Sequence, residues 1–343
     1  MSTRNLDFLL APRSIAVIGA SDRQHSVGGT VWNNLSGSFK GQLLAVNPHL
    51  AELAGQPVFA DLQALAAQHG KGPDLAVICT PPDSVAGLVA ELGAIGTRAA
   101  IVITAGMSQD QKQAMLEAAR RHTLRILGPN CIGLLVPHLG LNASFAPANA
   151  AAGQIAFVSQ SGALVTAMLD WANSRGIGFS NFVSLGEHAD VDFGDMLDYL
   201  GSDARTRAIL LYIESIESPR KFMSAARAAA RNKPVIVVKA GRSSQGQKAA
   251  ASHTGALAGA DDVFDAAISR AGMLRVHTLF QLFTAAELLA RFRDNRSERL
   301  IVMTNGGGAG VMAADAAGYA KVELSALDDA RLGRRDEVLP PNW

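Results

Sequence analysis

The segment SIAVIGASDRQHSVGGTVWNNL, residues 14–35, decides the fold class. Ser14 to Ala20 is a nearly continuous run of small and β-branched residues, the pattern of a parallel strand covered on both faces. Gly19 closes that run, and Gly28 and Gly29 stand where a helix begins. Glycine reaches positive φ and lets an anion approach the backbone, while a helix start offers free N–H groups. The interval from Gly19 to Gly28 is too long for G-x-G-x-x-G. The second strand, QLLAVNP at 42–48, runs on to His49, with Glu52 further along, so no ribose-binding carboxylate is evident. That counts against an NAD-dependent oxidoreductase. Two readings of the turn stand: a cradle for a nucleotide-type ligand, or a strand–helix turn without one.

The same rhythm extends in both directions. DLAVICTPP (74–82), AAIVITAG (99–106) and RILGPN (125–130) read as further buried strands. Helical patterns separate them, including SVAGLVAELGAIG (84–96) and SQDQKQAMLEAARRH (108–122), with Ser108 as N-cap and Asp110 in the first turn. Strand–helix alternation of this kind predicts a doubly wound α/β sheet with right-handed crossovers. A looser stretch, NASFAPANAAAGQ at 142–154, reads as a boundary, after which the rhythm restarts. IAFVSQSG (155–162), FSNFVSLG (179–186), AILLYIES (208–215) and PVIVVKAG (234–241) are the strands of a second unit. A third begins at RLIVMTNGGGAGVMAADAAGY (299–319). The predicted domains are 1–140, 150–295 and 299–343, the last too short to close a core by itself. It reads either as the start of a longer α/β unit or as an extension docked on the second.

Composition narrows the function classes. Lysine plus arginine number 31 against 30 acids, for a net charge of +1, which excludes a strongly basic nucleic-acid binder. No apolar run approaches the roughly 20 residues of a membrane span, and MSTRNLDFLLAPRS lacks the pattern of a signal peptide. The two cysteines, Cys79 and Cys131, make neither a disulfide scaffold nor a cysteine-rich zinc site. No regular metal-ligand spacing occurs, so no metal site is expected, and a cytoplasmic location is.

Two more glycine turns carry chemistry. In VSQSGALVT (158–166), Ser159, Gln160, Ser161 and Gly162 lie between strand and helix, either a small phosphate cradle or an ordinary serine N-cap. TNGGGAGV (304–311) places Asn305, Gly306, Gly307 and Gly308 before a helix, with no Lys-Ser/Thr to make a Walker sequence. His253, in AASHTGALAGADD, is flanked by small residues. That setting suits an imidazole nucleophile able to accept a bulky group, or equally a surface-loop histidine. His188, in the acidic LGEHADVD, reads as a solvated loop residue or a metal decoy.

Taken in order, SIAVIGAS, CTPPD, ITAG, LGPNCIG, VSQSGAL, SHTGALAG and NGGGAGV resemble the nucleoside-diphosphate-forming acyl-CoA synthetases. This superfamily includes the α subunit of succinyl-CoA synthetase, and the resemblance covers essentially the whole chain. It implies a Rossmann-like CoA-binding domain, a flavodoxin-like domain carrying a phosphohistidine loop, and the start of a third α/β unit. Gly19, Ala20, Ser21 and Gly28 would lie near the CoA phosphates, with Pro48, Thr80, Pro81 and Pro82 lining the nucleotide cleft. Ile103, Thr104, Gly106, Asn130 and Cys131 would lie near the pantetheine arm and thiol. His253 would be the phosphohistidine and Glu214 the carboxylate that orients it. Ser159 to Gly162 and Asn305 to Gly308 would be two opposed phosphate sites. The implied cofactor is coenzyme A, with a small carboxylate as co-substrate. ATP, ADP and Mg would act only through an ATP-grasp domain or subunit outside this chain, in an oligomer. Glu187 and His188 stand where related sequences often carry a neutral or basic pair. The same front half also resembles the regulatory, acyl-CoA-binding half of bacterial protein lysine acetyltransferases, and retention of His253 leans toward the ligase.

Overall fold

The computed structural model of the protein describes residues 3–248, 260–292 and 299–326. They fall into two compact units, Met1–Arg291 and Phe292–Trp343.

The first unit holds two seven-stranded sheets. In the first, β1 (Ser14–Ile18), β2 (Gln42–Val46), β4 (Gln56–Phe59), β5 (Leu75–Ile78), β6 (Ala99–Val102) and β7 (Arg125–Leu127) are parallel, and β3 (Glu52–Leu53) pairs antiparallel with β4. The spatial order β4-β2-β1-β5-β6-β7 is that of a dinucleotide-binding sheet. The chain winds outward from β1 through β2 to β4, then crosses back to β5. The gap between the carboxyl ends of β1 and β5 is therefore a topological switch point, where open α/β sheets bind ligands. Helices α1 (Leu6–Leu10), α2 (Val27–Ser38), α3 (Leu62–His69), α4 (Pro82–Ala94) and α5 (Gln109–Arg121) cover its faces. Ser108 caps α5 in a complete capping box with Gln111, as the Ser–x–x–Gln spacing leads one to expect.

The second sheet contains β8 (Gly133–Val136), β9 (Leu141–Ser144), β10 (Ala152–Ser159), β11 (Phe179–Ser184), β12 (Ala208–Ile213), β13 (Val235–Lys239) and β14 (Leu274–Val276). Its parallel strands run β11-β10-β12-β13-β14, the flavodoxin-like order, with a switch point between β10 and β12. The hairpin β8–β9 adds an antiparallel edge through β8 and β11. The helices are α6 (Gly162–Ser174), α7 (Phe193–Ser202), α8 (Pro219–Asn232), α9 (Asp261–Ala271) and α10 (Leu279–Arg291).

This hairpin straddles the boundary read from the sequence. The stretch from 142 begins inside a strand, and residues 133–144, placed mostly in the first domain, hydrogen-bond into the second sheet. Polar composition hid the burial. Asn142 and Ser144 are 1% and 0% exposed, with Ser144 Oγ donating to Asn142 Oδ1 (2.5 Å) and Asn142 Nδ2 to Asn149 Oδ1 (2.6 Å). Asn34 on α2 donates to the Ser144 carbonyl at 2.9 Å, so a helix of the first half is stitched to the edge of the second. Buried polar groups survive when each finds such a partner.

The apolar pattern explains why the two sheets hold together. Along β1, Ile15 and Val17 point into one core while Ala16 and Ile18 point into another. Along β10, Ala156 and Val158 join the same core as Ile15 and Val17, and Ile155 and Phe157 face a third. Residues of α1, α2, α7 and α8 complete the shared central core. Each large aliphatic side chain buried there contributes about 1.5–3 kcal/mol of transfer free energy.

The second unit has β15 (Arg299–Leu300) parallel to β16 (Glu323–Leu324), with α11 (Gly307–Tyr319) between them. One βαβ turn has little to bury its apolar face against: Met303, Met312 and Tyr319 are 95%, 75% and 90% exposed. Gly306 is the N-cap of α11, and a Cβ on Gly306, Gly307 or Gly308 would meet nothing within 4 Å.

Candidate active site between two switch points

At the first switch point, the backbone itself makes the turn. Gly19 leaves β1 at φ +87°, and a Cβ there would sit 3.2 Å from both the Cys79 carbonyl and Thr80 Cγ2. A Cβ on Gly28 would fall 1.9 Å from the Gly19 carbonyl oxygen. The start of α2 is thus pressed directly onto the turn, which only glycine allows. Ser26 caps α2 by accepting from the Gly29 N–H at 3.1 Å, and Ser21 Oγ accepts from Arg23 N. Asn47 occupies the place after β2 where dinucleotide enzymes carry an acid. Its Nδ2 donates to the Ala20 carbonyl at 2.7 Å, tying β2 to the turn. Pro48 follows it, exposed.

Next to this turn lies an open cleft of about 960 Å³. Thr80, Pro81 and Pro82 enter it from the end of β5, Ile103 and Thr104 from β6, and Asn130 and Cys131 from beyond β7. Thr104 Oγ1 donates to the Thr80 carbonyl at 2.7 Å, holding those strand ends in register. Gly106, at φ +77°, turns the chain after β6 without lining the cleft, and Gly19, Ala20, Ser21, Gly28 and Pro48 also lie outside its wall. Burial pushes the Cys79 and Cys131 thiols up to about 12, with the neighbouring Cys131 adding to the effect on Cys79. That is the opposite of the lowered pKa that marks a reactive cysteine.

The opposite wall is the second switch point. Gln160, Ser161 and Gly162 from the end of β10 meet Glu214 and Ser215 from the end of β12 in the same cleft. Ser161 caps α6, whose first turn carries no acid, so its N-terminus faces the cleft with an uncompensated positive pole. Ser159 is fully buried and shapes the turn: its Oγ accepts from Ser161 N (3.0 Å) and donates to Ser161 O (2.9 Å). Gln160 turns its side chain across the switch point. Its Oε1 accepts from the backbone N–H groups of Glu214 (2.6 Å) and Ser215 (3.1 Å). Its Nε2 therefore faces Ser215 Oγ (3.2 Å) and His188 Nε2 (2.6 Å). The imidazole Nε2 accepts from that amide, which leaves the ring proton on Nδ1. Glu214 is 8% exposed. The Tyr212 phenol is pushed up to about 12, first by burial, then by the charge of Glu214 and the hydrogen bond between them.

His188 thus departs from the solvated loop expected of it: it is 6% exposed and part of the cleft wall. Its neighbour Glu187 is paired with Lys112 of α5, at 2.5 Å. The cause is a backbone seam. Glu187, Ala189 and Val191 donate to the carbonyls of Pro129, Gly128 and Ile126, fastening the 187–191 segment to the end of β7. A Cβ on Gly186 would lie 2.3 Å from the Pro129 carbonyl. Arg125 reinforces the seam, its Nε 2.9 Å from Asp190 and its terminal nitrogen 3.1 Å from Asp195, which also pairs with Lys221 at 2.6 Å. Of the remaining candidates, His253 lies outside the described residues, and Asn305 to Gly308 stand on the second unit.

Two stretches match known domain families: residues 13–137 the CoA binding domain, and residues 152–289 the succinyl-CoA ligase like flavodoxin domain. The chain is 38% identical over 320 residues to the α subunit of ADP-forming acetate–CoA ligase I of Pyrococcus furiosus, covering 91% of this chain and 69% of that subunit. It belongs to the ADP-forming acyl-CoA synthetases. The chain is also 39% identical over 341 residues to ADP-forming acetate–CoA ligase I of Archaeoglobus fulgidus, covering 98% of this chain and 49% of the relative. It therefore spans about half the length of such curated relatives. An acetyl-coenzyme A synthetase 1 of Candidatus Korarchaeum cryptofilum, solved with phosphate and ADP, superposes at a TM-score of 0.92 with 35% identity, over 98% of this chain and 73% of that one. The Rossmann-like and flavodoxin-like halves expected of an acyl-CoA synthetase are both present. The relatives are ligases and give no support to the acetyltransferase-regulator alternative.

Proposed function

We propose that this chain is the CoA-binding and phosphohistidine-bearing part of an acyl-CoA synthetase that interconverts acyl-CoA, ADP and phosphate with carboxylate, ATP and CoA through an acyl phosphate. The observation that carries this reading is a cleft next to the Gly19 turn in which the ends of β5 and β6 meet the second switch point. CoA would lie over the Gly19 turn, with its phosphates near Ala20, Ser21 and Gly28 and Pro48 close to the nucleotide. Its pantetheine arm would follow Thr80, Pro81 and Pro82 toward Ile103, Thr104, Gly106, Asn130 and Cys131. At the far wall, the N-terminus of α6 suits a phosphoryl group, and Glu214 is held by Gln160 where it can orient a histidine.

His253 would carry the phosphoryl group between ATP and the carboxylate. The phosphorus moves from imidazole to a carboxylate oxygen, the CoA sulfur attacks the acyl carbon, and phosphate leaves. Positive helix ends and a fixed carboxylate provide the positioning and charge stabilisation that phosphoryl transfer needs. ATP and Mg would be held by an ATP-grasp partner in an oligomer, with Asn305 to Gly308 on that side.

The test is phosphorylation by labelled ATP in the presence of the nucleotide-binding partner. An acid-labile, base-stable label is expected, and it should vanish in His253→Ala. Label retained in that variant defeats the assignment.

A further inference from the structure

Among the described residues lining the cleft, Lys112 is the sole lysine or arginine, against three carboxylates, Glu187, Glu214 and Glu217. Lys112 is already engaged: its Nζ lies 2.5 Å from Glu187 Oε2, across the line where the two sheets face each other. Asn130 Nδ2 donates to the other oxygen, Oε1, at 3.3 Å. The two charged side chains are 20% and 32% exposed, so the pair is partly withdrawn from water. His188 beside it faces Gln160 through Nε2, at 2.6 Å.

The position of this pair matters under the ligase reading, on which the inference rests. The acyl carbon must lie between the CoA sulfur, arriving from the Thr104–Asn130 side, and the phosphoryl group at the Ser161–Glu214 side. The rest of the acid then shares the cleft with Lys112, Glu187 and the apolar Ile132 and Phe145, which line it. We propose that the Lys112–Glu187 pair determines charge selectivity for the acyl group. Glu187 cancels the one lysine or arginine among the described lining residues that could receive a second carboxylate, and its own charge repels that carboxylate. Discrimination built from a repulsive element and a pre-engaged partner is how sites reject near-isosteric competitors. An acid with an uncharged tail escapes both penalties.

Butyrate and succinate, two four-carbon acids that differ in one carboxylate, probe this directly. Rates of thioester formation are measured with the chain, its nucleotide-binding partner, ATP and CoA. Glu187→Gln frees Lys112 and is expected to raise the succinate-to-butyrate ratio of kcat/KM about tenfold. Lys112→Met removes the cation beside Glu187 and is expected to lower the ratio. Opposite shifts are a signature that a merely structural role would not produce. A ratio unchanged in Glu187→Gln, or rates that fall equally for both acids in both variants, while the histidine label still forms, overturns the role of the pair. Absence of label in the unaltered protein overturns the ligase reading and this selectivity with it.

Discussion

The two switch points, one beside a shared cleft and one in its wall, are built from different material. The first is made of backbone: α2 touches the turn after β1 through two glycines, with Gly28 leaving no room for even a methyl group. The second is made of side chains: Gln160 spans it and satisfies two backbone N–H groups and a buried histidine at once. A backbone site holds its shape through steric exclusion, whereas a side-chain site holds it through hydrogen bonds that a single substitution can remove.

Two substitutions probe that contrast. Gly28→Ala should have the largest effect, because the new Cβ collides with a carbonyl that cannot move without shifting β1. About 3 kcal/mol of stability should be lost, at the upper end for overpacking, together with weaker CoA binding in a calorimetric titration. Near-native stability would show that the turn yields and that the first site is not sterically set. Gln160→Ala should cost about 2 kcal/mol by leaving the Glu214 and Ser215 N–H groups without their acceptor, read as a lower denaturation midpoint with an unchanged slope. Its effect on phosphorylation should exceed that of Gly28→Ala, since Gln160 holds Glu214.

The smallest effect concerns pH. Asp261, at the start of α9, is partly buried, which raises its pKa. The hydrogen bond and charge of Arg275, with the charge of Arg242, outweigh this and hold it below the usual carboxylate range. Arg275 lies 2.5 Å from it and Arg242 3.5 Å. A depressed folded pKa gives stability that is complete above the unfolded value of about 3.9 and disappears as pH falls through the lower folded value. Asp261→Asn should therefore cost up to about 1 kcal/mol at neutral pH and flatten the loss of thermal stability below about pH 4. An acid limb identical to that of the parent would assign the sensitivity to other groups.

Much of the fold was legible because parallel strands covered on both faces are apolar throughout. All five positions of β1 and all four of β5 and β6 are buried, and each was readable as a short unbroken run. The strands that escaped are short or polar. β4 contains Pro57, β14 has only three residues, and β9 buries Asn142 and Ser144 through partners that lie far away along the chain. At the site, glycine and serine turns announced themselves, because special backbone geometry restricts residue type. Lys112 and His188 did not: nothing in their neighbourhoods tells a charged helix residue or an acidic loop that it will line a shared wall.

By itself, the amino-acid order determined that two wound α/β layers would form and which turns would sit at their carboxyl ends, since apolar periodicity and glycine act locally. Only the tertiary structure decided that those ends would converge. That convergence depends on the central core shared by the sheets, on the seam from Ile126 to Val191, and on the ion cluster around Arg125. Each joins residues separated by dozens of positions, and a contact of that range leaves no period or spacing to read.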